Sequence, residues 1–207
     1  MYLPRHFRES RLEVLHDFID RHPLGMLVSS VDGVPGVDHV PMLLARDVGP
    51  QGTLQGHVAR ANPLWRGTAS EAEVLVVFRG ADAYISPSGY PSKRVDGKVV
   101  PTWNYSVVQA RGRILFHDDE AWLHTLVSRL TDRFERDRPE PWAVADAPED
   151  YLRAMLRAIV GFEIVLTELV GKFKASQNKS AEARAGVREA LHAAGAGDLD
   201  ELLRDPG

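Results

Sequence analysis

His57, Arg60 and Asn62 fall close together, with the small residues Gly56, Ala59 and Ala61 around them and Trp65 just beyond. Asn62 is a preferred helix N-cap, and Pro63 suits a first helical position, where its missing N–H would be unpaired anyway. Residues 55–65 therefore read as a strand, including Val58, then a tight loop and the first turn of a helix over 62–70. A helix start exposes unpaired N–H groups and partial positive charge, and a guanidinium adds forked donors, so this geometry suits a phosphate. A plain capped helix beside a solvated Arg60 needs only the same residues, and on spacing alone it has the greater weight.

Other residues carry chemistry of their own. His39 and His57 lie on consecutive expected strands, where two imidazoles side by side could hold a metal or a haem iron. No third histidine or carboxylate at ligand spacing completes that set, so no metal is expected; a hydrogen bond to a ligand or backbone carbonyl is the simpler role. Trp103, Asn104 and Tyr105, just after Pro101, offer a stacking face with polar handles, for a planar ring or a subunit interface alike. Lys172 and Lys174, followed by Ser176, Gln177 and Asn178, bring cations and side-chain donors that can meet a phosphate; the alternative is a solvated strand end and turn. Lys93, Arg94 and Lys98 form a basic loop, the one place for a contact with DNA or an anionic substrate, and otherwise a solvated turn. Asp118, Asp119 and Glu120 sit at a helix start, where carboxylates offset the dipole. No Ser-His-Asp arrangement, Walker loop, dinucleotide glycine pattern or helix-turn-helix is visible, and no catalytic residue is assigned.

Composition narrows the setting. The 207 residues suffice for one sizeable domain with its own core. The absence of cysteine excludes disulfides, thiolate metal sites and a cysteine nucleophile, and fits a cytoplasmic protein. No stretch approaches the roughly 20 apolar residues of a membrane span, and the first residues lack a signal-peptide core. A formal charge of -4 gives no general pull towards nucleic acid.

The elements that must position these residues follow from periodicity and punctuation. Leu12, Leu15, Phe18 and Ile19 recur at helical spacing and stop near His22 and Pro23. Asp32-Gly33 between apolar runs predicts a hairpin of strands over 24–30 and 36–45, the second made an edge strand, bulged or kinked by Pro41. Strands are expected over 53–58, over 73–78 (apolar enough to be buried on both faces and central), over 82–86 after a turn at 79–81, and over 102–116. Residues 87–98 read as a loop. Trp122, Leu126, Leu130 and Phe134 mark an amphipathic helix from 118 to 138. A helix over 151–159, broken by Val160 and Gly161, precedes a last strand over 162–166. The expected organisation is one domain over 1–178 and a helical tail over 179–207, thin in apolar residues, that packs loosely or against a partner subunit. About seven short strands with a few helices predict a mainly β fold, a small antiparallel barrel with covering helices. Side chains fill so small a barrel, so a planar cofactor would sit at its rim or between two barrels, favouring a dimer.

Seven stretches, in order over residues 1–178, together resemble the PaiB-like family, described as FMN-binding negative transcriptional regulators with a split-barrel fold similar to pyridoxamine phosphate oxidases. They begin at Met1, His39, Gly56, Ala83, Val100, Val160 and Gly171. The last of them reads Gly171, Lys172, Phe173, Lys174, Ala175, Ser176, Gln177, Asn178. Two positions depart from the family pattern: Ala81 for a usual proline and Gly89 for a usual tryptophan. The resemblance implies a homodimeric split β-barrel with FMN at the subunit interface, its phosphate loop on 57–62 with Arg60 as charge partner, and its ring lined by Val40, Pro41, Met42 and Leu43. Any redox chemistry would then be the flavin's. The label of regulator comes from the resemblance alone. A flavin-dependent oxidoreductase acting on a small molecule, and a haem-binding or cofactor-free barrel, are the other readings that fit.

Overall fold

The computed structural model of the chain describes residues 1–31 and 33–193. Its elements, in chain order, are β1 (Arg8–Glu9), α1 (Leu12–Arg21), β2 (Leu24–Val31), β3 (Val34–Pro41), β4 (Leu43–Ala45), β5 (Thr53–Ala59), α2 (Leu64–Gly67), β6 (Glu73–Ile85), β7 (Thr102–His117), α3 (Glu120–Glu135), α4 (Glu149–Arg157), β8 (Ile159–Lys174) and α5 (Ala181–Ala193). The strands form one sheet in the order β3-β2-β6-β7-β8-β5-β4, with β1 added along β8. The pairs β1/β8, β2/β3, β2/β6, β4/β5 and β5/β8 are antiparallel.

Two compact units share the chain: one takes residues 1–18, 79–108 and the segment from Val170 onward, the other residues 19–78 and 109–169. In the second, the hairpin forms as expected, pairing Leu24 with Pro41 through to Val31 with Val34. Gly33 turns it with φ of 80°, and Asp32 lies outside the described residues. β3 is the sheet's outermost strand, as Pro41 demanded. The strand expected over 36–45 is in fact two, because at Met42 the backbone leaves the ladder and its N–H donates to the Pro23 carbonyl at 2.9 Å. The apolar run at the start of β6 alternates between buried and half-exposed residues, so it is covered on one face and not on both; it is central, between β2 and β7.

Glycines let neighbours close in on this sheet. A Cβ on Gly56 would stand 2.6 Å from the Phe162 ring, and one on Gly161 would stand 2.1 Å from Trp122. Gly161 therefore does not end a helix. It sits inside β8, which starts at Ile159 and runs sixteen residues, more than three times the expected 162–166. α3 is capped by Asp119, whose carboxylate accepts the Trp122 N–H at 2.8 Å, and it buries Leu123, Leu126 and Leu130. The expected helix over 62–70 is a single turn, α2, which ends at Gly67 where a Cβ would meet Val31 at 2.2 Å.

In the first unit, β1 pairs Arg8 with Lys172 and Glu9 with Gly171, an added strand that its two residues did not announce. No turn interrupts β6 over 79–81: Gly80 passes under Ser106 and Phe18, where a Cβ would be 2.4 Å from the Ser106 hydroxyl. α5 is not a loose tail. Its Val187 and Leu191 are buried with Ala83, Ile85, Tyr90 and Ala175 in one apolar cluster. Gly89 lies in the turn Pro87–Gly89 against this helix, and a Cβ there would be 3.3 Å from the Ala190 Cβ and 3.4 Å from the Gly186 carbonyl. An indole at position 89 would have to displace α5. The rest of the expected tail, 194–207, is outside the described residues.

Candidate functional site

The sequence-predicted residues fall into two groups, one in each unit. In the first unit, β8 places Lys172 and Lys174 on the same side by its two-residue period. Lys172 is only 9% exposed, yet its ammonium has just one hydrogen-bond partner among the described residues, the Tyr2 carbonyl at 3.1 Å. It also stands 5.3 Å from the centre of the Tyr105 ring and 5.8 Å from that of Tyr2. The Lys174 ammonium donates to the Thr102 hydroxyl at 2.5 Å and to the Trp103 carbonyl. Burial lowers the Lys174 pKa, and the charges of Lys172 and Lys179 push it the same way. Among the described residues, no carboxylate pairs with either lysine.

The turn after β8 is held tightly. Ser176 takes a left-handed conformation, φ of 64°, which costs a residue with a Cβ about 1–2 kcal/mol. Its buried hydroxyl meets the buried Asn104 amide, accepting from Nδ2 at 3.0 Å and donating to Oδ1 at 3.2 Å. Gln177 closes the turn, its Oε1 accepting the Ala175 N–H at 2.8 Å and its Nε2 donating to the Phe173 carbonyl. Asn178 is exposed. Trp103 is 53% exposed and meets Tyr84 edge to face, with centroids 6.0 Å apart. Asn104, Ser176 and Gln177 thus spend their polar atoms on shaping the turn, while the Lys172 ammonium, with one hydrogen bond given to the Tyr2 carbonyl, keeps two of its three donors.

In the second unit, Asn62 caps α2 as expected, its Oδ1 accepting the Leu64 N–H at 2.8 Å, while its amide donates to Asp38. Arg60 is heavily engaged. Its guanidinium donates to the Arg157 carbonyl at 2.6 Å, to the Ile159 carbonyl at 3.0 Å and, through two nitrogens, to Asp118. The Trp65 indole donates to the Arg60 carbonyl at 2.9 Å. These bonds tie the loop to the end of α4, and four of the five guanidinium hydrogens go to the protein. A single-turn α2 also has little dipole to offer an anion. Val40, Met42, Leu43 and Val58 turn their side chains into the core; Pro41, Ala59 and Ala61 are exposed. His39 is exposed on β3, and no group of three or more metal-ligating side chains occurs among the described residues.

His57 stands opposite Gly161 in the β5/β8 register, and its Nδ1 is buried without a hydrogen-bond partner among the described residues. Near it lies a polar chain whose members are too far apart in sequence to be linked by spacing. Arg129 donates to Gln55 at 2.7 Å, Gln55 to Glu163 at 2.6 Å, and His117, stacked on Trp122, meets Glu163 at 2.9 Å. Burial holds the His57 pKa below its ordinary 6.5, and burial with the Arg21 charge does the same for His22. With the folded pKa depressed, the unfolded chain binds more protons between the two values. Stability is therefore full above about pH 6.5 and is lost as pH falls through that value towards the folded pKa. His57→Gln is expected to flatten the loss of stability between about pH 7 and 5, leaving the His22 part. Urea midpoints across that range check this, and an unchanged slope refutes it.

A family model whose description reads "Putative FMN-binding domain" matches residues 1–168. The chain is 30% identical over 180 residues to the Protease synthase and sporulation protein PAI 2 of Bacillus subtilis (strain 168), covering 87% of this chain and 84% of that one. It is 34% identical over 241 residues to the protein AFUA_5G13800 of Aspergillus fumigatus, covering 94% and 92%. Among solved structures it resembles the FAD and heme binding protein from Mycobacterium smegmatis, with a TM-score of 0.60, 18% identity and coverage of 86% and 78%. It resembles the flavocytochrome Anf3 from Azotobacter vinelandii at 0.58 and 17%, covering 89% and 78%. At such identities the likeness is one of fold, the open antiparallel split barrel.

Proposed function

Because this chain belongs to the FMN-binding domain family, we propose that Lys172 and Lys174 receive the phosphate of FMN and that the loaded protein acts as a homodimeric, PaiB-like regulator in the cytoplasm. One observation carries the assignment of the site: Lys172 is buried beside Lys174, and among the described residues no carboxylate balances either. A buried ammonium without a counter-ion costs several kcal/mol, and a dianionic phosphate offsets that cost. The residues present fit the cofactor, since the Tyr105 ring beside Lys172 and the exposed Trp103 ring two residues earlier on β7 suit a planar isoalloxazine. Bound FMN supplies reversible one- and two-electron transfer; the chain's residues hold it and set its charge environment. Arg60 belongs to the scaffold in this reading, as the clamp on the end of α4. The exposed Trp103 and Tyr84 pair gives a partner subunit an aromatic surface to cover the ring, which supports the dimer.

FMN titration of the purified protein tests the reading. It predicts one flavin per chain and weaker binding of riboflavin, which lacks the phosphate. Equal affinity for the two flavins, or no uptake of FMN, overturns it. The regulatory half rests on the similarity to PAI 2 and on the PaiB-like motifs, with the exposed basic turn Pro91–Arg94 as the surface for DNA. Selection of genomic fragments on the FMN-loaded protein is expected to enrich discrete sites, and no enrichment overturns that half.

A further inference from the structure

α5 follows the Lys174–Gln177 turn directly and then folds back on it. Ala175, between Lys174 and the left-handed Ser176, is 7% exposed and shares its apolar cluster with Val187 and Leu191 of α5. The helix reaches this position through a backbone contact that only a glycine at 186 allows: a Cβ on Gly186 would lie 2.2 Å from the Gly89 carbonyl oxygen. Opposite, Tyr90 is buried in the same cluster, its hydroxyl without a partner among the described residues, and its ring faces Lys179 at 5.8 Å. The turn is thus held from three sides, by Asn104 through Ser176, by the Gln177 side chain, and by α5 through Ala175. A residue in the left-handed region persists only where its surroundings over-determine it.

We infer that α5, which lies beyond the residues matched by the family model, is a positioning element that sets the anion-receiving turn and makes this protein selective for phosphorylated flavin. The inference rests on the phosphate assignment made above. Release of α5 frees Ala175 and lets Ser176 relax to an ordinary conformation, which loosens the end of β8 that presents Lys174 and turns the following residues away from the geometry that meets a phosphate. If the competent geometry then falls to a tenth of the population, the apparent FMN dissociation constant rises about tenfold.

The test uses the full chain carrying Gly186→Leu, which forces the Gly89 contact apart, and separately Val187→Ala, a milder loss of packing in the same seam. Protection of residues 181–193 from hydrogen exchange reports whether α5 is docked. Dissociation constants for FMN and for riboflavin are measured side by side by flavin fluorescence. The expected result is lost protection with FMN weakened about tenfold and riboflavin unchanged, so that the preference for FMN collapses. Lost protection with the preference intact overturns the inference, and so does equal weakening of both flavins, which marks a general loss of structure. If Gly186→Leu does not fold, Val187→Ala is read by the same ratio. A wild-type protein with no preference for FMN over riboflavin sinks the phosphate assignment itself, a different outcome from the other two.

Discussion

Lys172→Met is expected to weaken FMN binding by about 1.5–3 kcal/mol, roughly tenfold to more than a hundredfold in dissociation constant. Methionine keeps an unbranched stem between Tyr2 and Tyr105 and removes only the ammonium. Riboflavin should bind as before, because the lost partner is the phosphate. The effect on stability distinguishes this role from a structural one. In the flavin-free protein Lys172 is a buried charge without a counter-ion among the described residues, so replacing it with an apolar side chain should leave the melting temperature unchanged or raise it. An FMN affinity within a factor of about two of wild type, or a clear drop in flavin-free stability, would remove Lys172 from the phosphate site.

Gly161→Val should cost about 2–3 kcal/mol of stability, the upper part of the range for overpacking. Its Cβ would begin 2.1 Å from Trp122 and its γ-methyls would go further into the ring. Trp122 cannot simply step aside, because it stacks on His117 at 4.2 Å, and His117 is bound to Glu163. The substitution therefore lifts the first turn of α3 and breaks the polar chain on β7 and β8 together. Urea unfolding should show a lower midpoint at unchanged slope, and a midpoint within experimental error of wild type would mean that α3 yields freely there.

The contrast between what could be read from the sequence and what could not is physical. The β2/β3 hairpin and α3 were readable because their signals are local: an Asp-Gly turn between apolar runs, and apolar residues at four-residue steps. The FMN-binding family was readable too, from motifs spread along the chain. Gly80 and Gly161 misled because a glycine reads as punctuation, whereas both serve close approach inside long strands, a purpose set by residues far away in the chain. Arg60 shows the same limit. Its residue type invited a phosphate, but its partner Asp118 lies 58 positions away, and no spacing rule links them. The lysines of β8 could be picked out by type, while their settings, Tyr2 and Thr102, came only with the fold.

The proline-bearing strand at the sheet's border has one more consequence. Proline has no N–H to give to a ladder, so Pro35 and Pro41 must point their nitrogens away from β2, towards the free edge. Backbone groups alternate sides along a strand, so the outward positions of β3 are 35, 37, 39 and 41, and two of these four carry no donor. At the other border β4 is three residues long. A stray strand from a neighbouring molecule finds neither border a good template, which guards the chain against fibril-like growth at high concentration. The two missing donors disfavour association by extension of the sheet across β3.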